Sequence, residues 1–329
     1  MRKYLITLML CVLLSPSSYA ASTASKPYVM KVTLLGTGNP IPSAQRFGPS
    51  TLVEAGGHYL LFDVGRGSII RLWQLKAPIN KITDVFLTHY HSDHINGLSD
   101  FWMTGWMPLP PVSPSRTTPL HLYGPTGIKN IANGLTETFK DNTRIHIEDE
   151  HLPPEGIKLV VTEFTEGEHL VYQKYGIRVT SFKNDHGKFI HPSVGYKIQY
   201  KGKTVVISGD TRKSQTVINE AKGADLLVHE VAAVRDGLLQ KHPNLRAIFE
   251  HHINPRQAGE VFTEAKPKLA AFTHVALLGT KDFPKLSVDE LIAMTRETYK
   301  GPLVVGEDLM SFEIGDTVKV VPWKGEMNK

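Results

Sequence analysis

Four side chains able to bind a metal ion or carry a proton crowd into HYHSDH at 89–94: His89, His91, Asp93 and His94. In extended chain His89 and His91 face the same way and can chelate one ion. A turn after Ser92 then aims Asp93 and His94 elsewhere, toward a second. Imidazole with carboxylate makes a borderline-soft N/O donor set that suits zinc first, with manganese or iron(II) as substitutes. A histidine-rich surface loop is the plain alternative, but so dense a run directly after an apolar stretch argues for a site.

A site of this kind needs donors from elsewhere and elements to present them. Val85 to Thr88 precedes His89 as an apolar run and reads as a buried strand. Leu226-Leu227-Val228 ends in His229-Glu230, Thr204–Ser208 ends in Gly209-Asp210-Thr211, and Leu269–Thr273 ends in His274. Strands whose carboxyl ends carry such residues gather them at one edge of a layered α/β fold. His186, in Asn184-Asp185-His186-Gly187, is the natural third imidazole for the first ion, with His191 its nearest rival. Asp210 has two oxygens and can bridge both ions, and His274 completes the second.

Supporting elements follow from local signals. Val29–Leu35 reads as a strand and Gly36–Pro40 as a loop beside the site. Without a following GKS or GKT that loop is no phosphate-binding motif. Asp63 is either an acceptor for a ligating imidazole or a helix cap. Trp102 and Trp106, one helical turn apart, read as core or subunit packing. Short strands are expected from Arg144 to Arg178, a helix opening at Asn254-Pro255, and a capping box at Ser287–Glu290.

The 329 residues, 41% hydrophobic and 21% charged, suit a globular chain. Arg2 and Lys3, an apolar stretch Tyr4–Leu14 and Ser18-Tyr19-Ala20 read as a signal peptide over 1–20, with a linker at 21–28 and one hydrolase domain over 29–329. Cys11, the only cysteine, falls in that leader, so any zinc is held by His and Asp. Loss of Arg2 and Lys3 lowers a formal charge of +5 by two units, too mild to argue for nucleic acid. A periplasmic or secreted protein without lasting membrane association is the expectation.

Several stretches together resemble a known family: LLGTGNPIPS at 34–43, RFGPSTLVEAGGHYLLFDVGRGS at 46–68, HYHSDH at 89–94, SGDT at 208–211, HE at 229–230 and TH at 273–274. They look like the metallo-β-lactamase fold, in the branch that holds ribonuclease Z and the arylsulfatase- and phosphodiesterase-like hydrolases. The resemblance implies an α/β (α+β) architecture, an αββα four-layer sandwich of two mostly antiparallel sheets with outer helices. It puts His89, His91 and His186 on one zinc ion and Asp93, His94 and His274 on the other, with Asp210 shared. His252 matches the histidine that faces the scissile group, His251 being a neighbour that confuses the assignment, and Glu230 is either its orienting partner or a plain strand-end carboxylate. The catalytic set is then Asp93, His252 and Glu230, acting on an ester attacked by a metal-bridging hydroxide.

Two departures steer the choice of substrate. Ribonuclease Z carries a tRNA-gripping arm between the positions matching His186 and Asp210, and the stretch here is too short for one. An exported protein would meet no precursor tRNA. The expectation is therefore a dinuclear zinc hydrolase of a small phosphodiester or aryl sulfate, with a small-molecule ester as partner, nucleic acid disfavoured, and room for a homodimer. A lactonase or a ribonuclease Z-type 3′-tRNA endonuclease comes next, and a non-catalytic periplasmic metal-binding protein is the reading from another class.

Overall fold

Side-chain alternation along the strands decides which face each residue serves. Leu60 and Phe62 lie in a core that also holds Val205, Ile207 and Tyr196, whereas Leu61, between them, packs with Leu72, Val85 and Trp102. Such a period of two places one face of a sheet against a second sheet and the other under helices. The computed structural model describes residues 28–325. The expected leader over 1–20 and the linker up to residue 27 lie outside the described residues.

The first sheet uses β1 (Met30–Gly36), β2 (Ser50–Ala55), β3 (His58–Phe62), β4 (Asp84–Phe86), β5 (Leu120–Pro125) and β6 (Leu159–Phe164). The second uses β7 (His169–Lys174), β8 (Ile177–Lys183), β9 (Val194–Tyr200), β10 (Lys203–Ile207), β11 (Leu226–Ala233), β12 (Leu269–Leu277) and β13 (Leu303–Val305). The chain then returns to the first sheet with β14 (Ser311–Ile314) and β15 (Val318–Val321). Spatial order is β15-β14-β1-β2-β3-β4-β5-β6 in one sheet and β13-β12-β11-β10-β9-β8-β7 in the other.

Outside the first sheet lie α1 (Ser68–Gln74), α2 (Ser92–Ile95), α3 (Leu98–Trp106), α4 (Ile128–Thr138) and α5 (Lys140–Glu148). α6 (Gln215–Glu220), α7 (Leu238–Lys241), α8 (Arg246–Glu250), α9 (Pro255–Ala265) and α10 (Val288–Arg296) come from the second half. Phe262 of α9 and Leu291 of α10 meet Leu227 and Phe272 in a third core on the second sheet. The layers are thus helix, sheet, sheet, helix, as expected. The sheets are mixed rather than mostly antiparallel, because helical connections make β3 through β6 and β10 through β13 run parallel.

Three local expectations change. Arg144–Glu148, placed at the start of a run of short strands by its sequence, belongs to helix α5, held by i,i+4 pairs such as Arg144–Glu148. His274 does not follow a strand but lies within β12. His229 does not end a strand but lies within β11, its Nδ1 on the Glu230 carbonyl and its ring edge-on to Phe262. Trp102 and Trp106 are buried core residues, and both indoles donate to backbone carbonyls, Ile157 and Pro153. Between His186 and Asp210 the chain builds only the β9–β10 hairpin. Among the described residues no helix is long and apolar enough to cross a membrane.

Candidate metal centre

Both sheets deliver residues to one rim. β4 leads into His89 and His91, α2 carries Asp93 and His94, β8 leads to His186, β10 to Asp210, and β12 carries His274. The turn after His91 is anchored by backbone: Val64 N donates to the His94 carbonyl at 2.8 Å and Gly97 N to the Val64 carbonyl at 2.9 Å.

His274 is presented by a bulge. Thr273 pairs with Glu230 and Val275 with Val231, so His274 is the extra residue on β12, with φ of 45°. The loop after β1 clamps the next residue: Val275 N donates to the Thr37 carbonyl at 2.8 Å and Asn39 Nδ2 to the Val275 carbonyl at 2.9 Å. Gly36–Pro40 is therefore a wall of the site, as its sequence suggested.

The donors converge as two main groups and a third that overlaps both. Ligand atoms of His89, His91, His186 and Asp210 lie within 4.8 Å of one another, and so do those of Asp93, His94 and His274, and those of Asp210, His252 and His274. Asp210 Oδ2 stands 3.8 Å from Nε2 of His89 and of His186, 3.3 Å from that of His94 and 3.2 Å from that of His274. One carboxylate thus faces imidazoles of both groups. Each residue proposed as a ligand is brought in, and His191 is not: it pairs with Glu166 on the surface.

Hydrogen bonds behind the imidazoles fix which nitrogen turns inward. His94 Nδ1 lies 2.8 Å from Asp63 Oδ2, His89 Nδ1 3.0 Å from Thr88 Oγ1, and His186 Nδ1 2.9 Å from the His251 carbonyl. Asp63 also accepts from Thr88 N and Oγ1, which decides for the imidazole-supporting role over the helix cap. Thr88 went unnoticed in the sequence, although its place just before His89 was a usable signal. The Nε2 atoms of His89 and His94 are buried with no hydrogen-bond partner among the described residues. Orphaned nitrogens beside ionised carboxylates are what a cation would satisfy, so the residues fit a metal.

The charges are divided. Burial opposes ionisation of Asp210, yet His274 and His94 hold its carboxyl well below the usual range. Burial and the neighbouring His94 push His89 well below its ordinary value, and burial lowers His186 to about 4, leaving both imidazoles neutral as ligands must be. Burial also opposes a charge on His94, but Asp210 and Asp63 outweigh it and hold that imidazole well above its ordinary value, so a cation bound there would displace its proton.

His252 and Glu230 form a further unit. His252 Nδ1 lies 3.1 Å from Glu230 Oε1, which also accepts from Ile253 N and Thr211 N at 3.1 Å each. Burial works against the imidazolium, but Glu230 outweighs it and raises His252 to about 9. The orienting role of Glu230 thus prevails over the plain carboxylate. Asn254 caps α9 by accepting from Gln257 N, keeping His252 in place at the turn. His251 supplies its carbonyl to His186 and joins neither metal group. His242 packs edge-on to Phe283, apart from both groups. Pro40, Ile41, Ile248 and Leu278 complete a cavity of about 190 Å³ over His91, Asp93, Asp210, His252 and His274.

Layered sheets with two His/Asp groups at one rim define a metal-dependent hydrolase of the metallo-β-lactamase fold. Residues 30–250 match the family described as anti-Pycsar protein Apyc1. The chain is 33% identical over 303 residues to a ribonuclease Z of Mycolicibacterium gilvum, spanning 89% of this chain and 99% of that one. A ribonuclease Z of Mycobacterium marinum is 31% identical, over 87% of this chain and 99% of its own. Human tRNase Z, short form, superposes with a TM-score of 0.62 at 23% identity, over 86% of this chain and 99% of that chain. The Bacillus subtilis metallo-β-lactamase-fold protein YhfI gives 0.65 at 21%, over 86% and 98%. The chain belongs to the family of metallo-β-lactamase-fold hydrolases that takes in ribonuclease Z and the anti-Pycsar protein Apyc1.

These relatives overturn two expectations. A hydrolase of a small phosphodiester or aryl sulfate, and a protein with a small-molecule partner and nucleic acid disfavoured, both give way to relatives that are ribonucleases by name. The error came from the weight given to a missing arm and an expected export. An arm bears on how a strand is gripped, whereas the bond to be broken is set by the rim.

Proposed function

We propose that the chain is a metal-dependent endoribonuclease of the ribonuclease Z type, which hydrolyses a phosphodiester at the 3′ end of precursor tRNA. The observation that carries this reading is Asp210 Oδ2, within 3.8 Å of imidazoles from both donor groups. The family membership supplies the substrate class. His89, His91 and His186 would hold one cation and Asp93, His94 and His274 the other, with Asp210 shared. Zinc is the metal this donor set favours, with manganese or iron(II) as alternatives.

Bound divalent ions supply Lewis acidity at water and at the phosphoryl oxygens. The chain's own groups do the rest. Asp93 Oδ2, 3.2 Å from His274 Nε2, sets a carboxylate at the rim, where it would orient the attacking water and accept its proton. Glu230 fixes the Nδ1 face of His252 and leaves Nε2 to donate a proton to the departing oxygen. Pro40, Ile41 and Ile248 give one side of the cleft an apolar lining.

The test is incubation of zinc-loaded protein with a precursor tRNA bearing a 3′ trailer, resolved on a sequencing gel. A single endonucleolytic cut is expected, sensitive to chelator and absent in Asp210→Ala. No cut in this or any other RNA at saturating protein would contradict the reading.

A further inference from the structure

The loop between His186 and β9 carries an unused aromatic. Phe189 is 87% exposed, the highest value among the large hydrophobic side chains described. A ring left in water at that level contributes nothing to the core. Its place in the chain is specific: three residues after His186, a separation that cannot exceed about 10 Å even fully extended.

Both ends of the loop are fastened. On the near side, Asp185 takes both its oxygens to Arg212 Nη2 at 2.7 and 2.8 Å, and the Arg212 amide donates to the Asp185 carbonyl at 2.7 Å. Thr211 Oγ1 lies 3.0 Å from the Asp185 amide, which ties the loop to the residue after Asp210. Gly187, at φ of 93°, turns against His251, where a Cβ would come 3.0 Å from the His251 Cβ. On the far side, Glu166 gathers the His191 ring at 2.9 Å, the Ser193 amide at 2.7 Å and Lys183 Nζ at 3.1 Å. Only Lys188, Phe189 and Ile190 stand between the anchors. An aromatic on so short a tether loses little freedom when something binds to it.

Lys188 completes the feature. Its Nζ lies 5.2 Å from the centre of the Phe189 ring, and no carboxylate pairs with it among the described residues. A cation against one side of a ring, with the ring otherwise open, matches one repeat of single-stranded nucleic acid: base on the aromatic, phosphate on the ammonium.

We propose that Phe189 and Lys188 form a subsite for one unpaired nucleotide next to the scissile bond, the base stacking on Phe189 and its phosphate meeting Lys188. This rests on the endoribonuclease reading for the nature of the strand. It adds a specific contact outside both donor groups and the His252–Glu230 pair.

The experiment measures binding of a fluorescent, cleavage-resistant phosphorothioate oligouridylate to zinc-loaded protein by anisotropy. A matching oligomer without bases is the control, and bis-p-nitrophenyl phosphate turnover monitors the centre. Phe189→Ala is expected to raise Kd for the oligouridylate roughly 5- to 100-fold, the usual worth of one base–aromatic contact. Phe189→Trp should restore the affinity, the baseless oligomer should bind wild type and Phe189→Ala alike, and turnover of the small ester should not change. Equal oligouridylate affinity in wild type and Phe189→Ala, no oligouridylate binding at all, or an equal loss with the baseless oligomer would each overturn the subsite. So would loss of binding that tracks conversion of a dimer to a monomer in sedimentation. Because the readout is binding, failure of RNA cleavage with Phe189-dependent affinity intact would count against the endoribonuclease and leave the subsite standing.

Discussion

Removing one imidazole separates holding metal from moving protons. His252 lies near Asp210 and His274 but outside both main donor groups, and Glu230 backs its Nδ1, so His252→Ala should keep its full metal content while kcat on RNA falls by about 10²- to 10⁴-fold, the range for a lost general acid. His251→Ala, which keeps the backbone carbonyl that His186 uses, should cost far less. Parallel metal analysis and single-turnover kinetics check the pair, and metal loss in His252→Ala would reassign it as a ligand. Asp63 is the counterpart behind His94. Its φ of 54° is one that asparagine tolerates, so Asp63→Asn removes the charge without forcing the backbone. Affinity for the ion at Asp93, His94 and His274 should drop by roughly 10- to 100-fold, readable by competition with a zinc chelator. Unchanged affinity would show that the Asp63–His94 contact does nothing for the metal.

Elements hold these residues through contacts that local sequence shows only in part. The HYHSDH segment rests on glycine backbone: a Cβ on Gly65 would come 2.6 Å from the Asp93 carbonyl and 2.3 Å from Gly48 C. Neither neighbour is a side chain that can swing aside, so Gly65→Ala should destabilise by about 1–3 kcal/mol in a urea titration and weaken zinc binding as well. Gly134, within α4, has open space where its Cβ would go, and Gly134→Ala should instead stabilise by about 0.4–1 kcal/mol. Equal effects would mean that the close backbone packing is irrelevant. The apolar runs before His89 and Asp210 gave away strands and their ends because strand length and chemistry coincide there. His274 and His229 sit in runs that continue as strand on both sides, and nothing in Phe272-Thr273-His274-Val275 announces that His274 is the bulged residue. Its placement depends on a partner strand and on the loop at Thr37 and Asn39, both distant in the chain. Helix α5 was missed for a related reason: it has no buried residue, so it lacks the apolar period that reveals a helix.

At the scale of the molecule the rim is a seam between the two sheets. His89, His91, Asp93 and His94 follow β4 of the first sheet, whereas His186 and Asp210 follow β8 and β10 of the second and His274 lies within its β12. Ions bound there would tie the layers together and stabilise the folded state by mass action, by about 2.7 kcal/mol at a hundredfold excess over Kd. Chelation should therefore lower Tm by about 5 °C or more in a single calorimetric transition. Two separate transitions, or an unmoved Tm, would show that the seam is not closed by metal. The missing arm and the expected export, which pointed away from nucleic acid, carry no information about this seam. The most direct measurement is the metal-to-protein ratio of zinc-loaded, dialysed protein, wild type beside Asp210→Ala, by plasma mass spectrometry. Two ions per chain in the wild type and no more than one in Asp210→Ala are expected from a carboxylate shared between the groups. A single ion in the wild type, or both ions retained without Asp210, would contradict it.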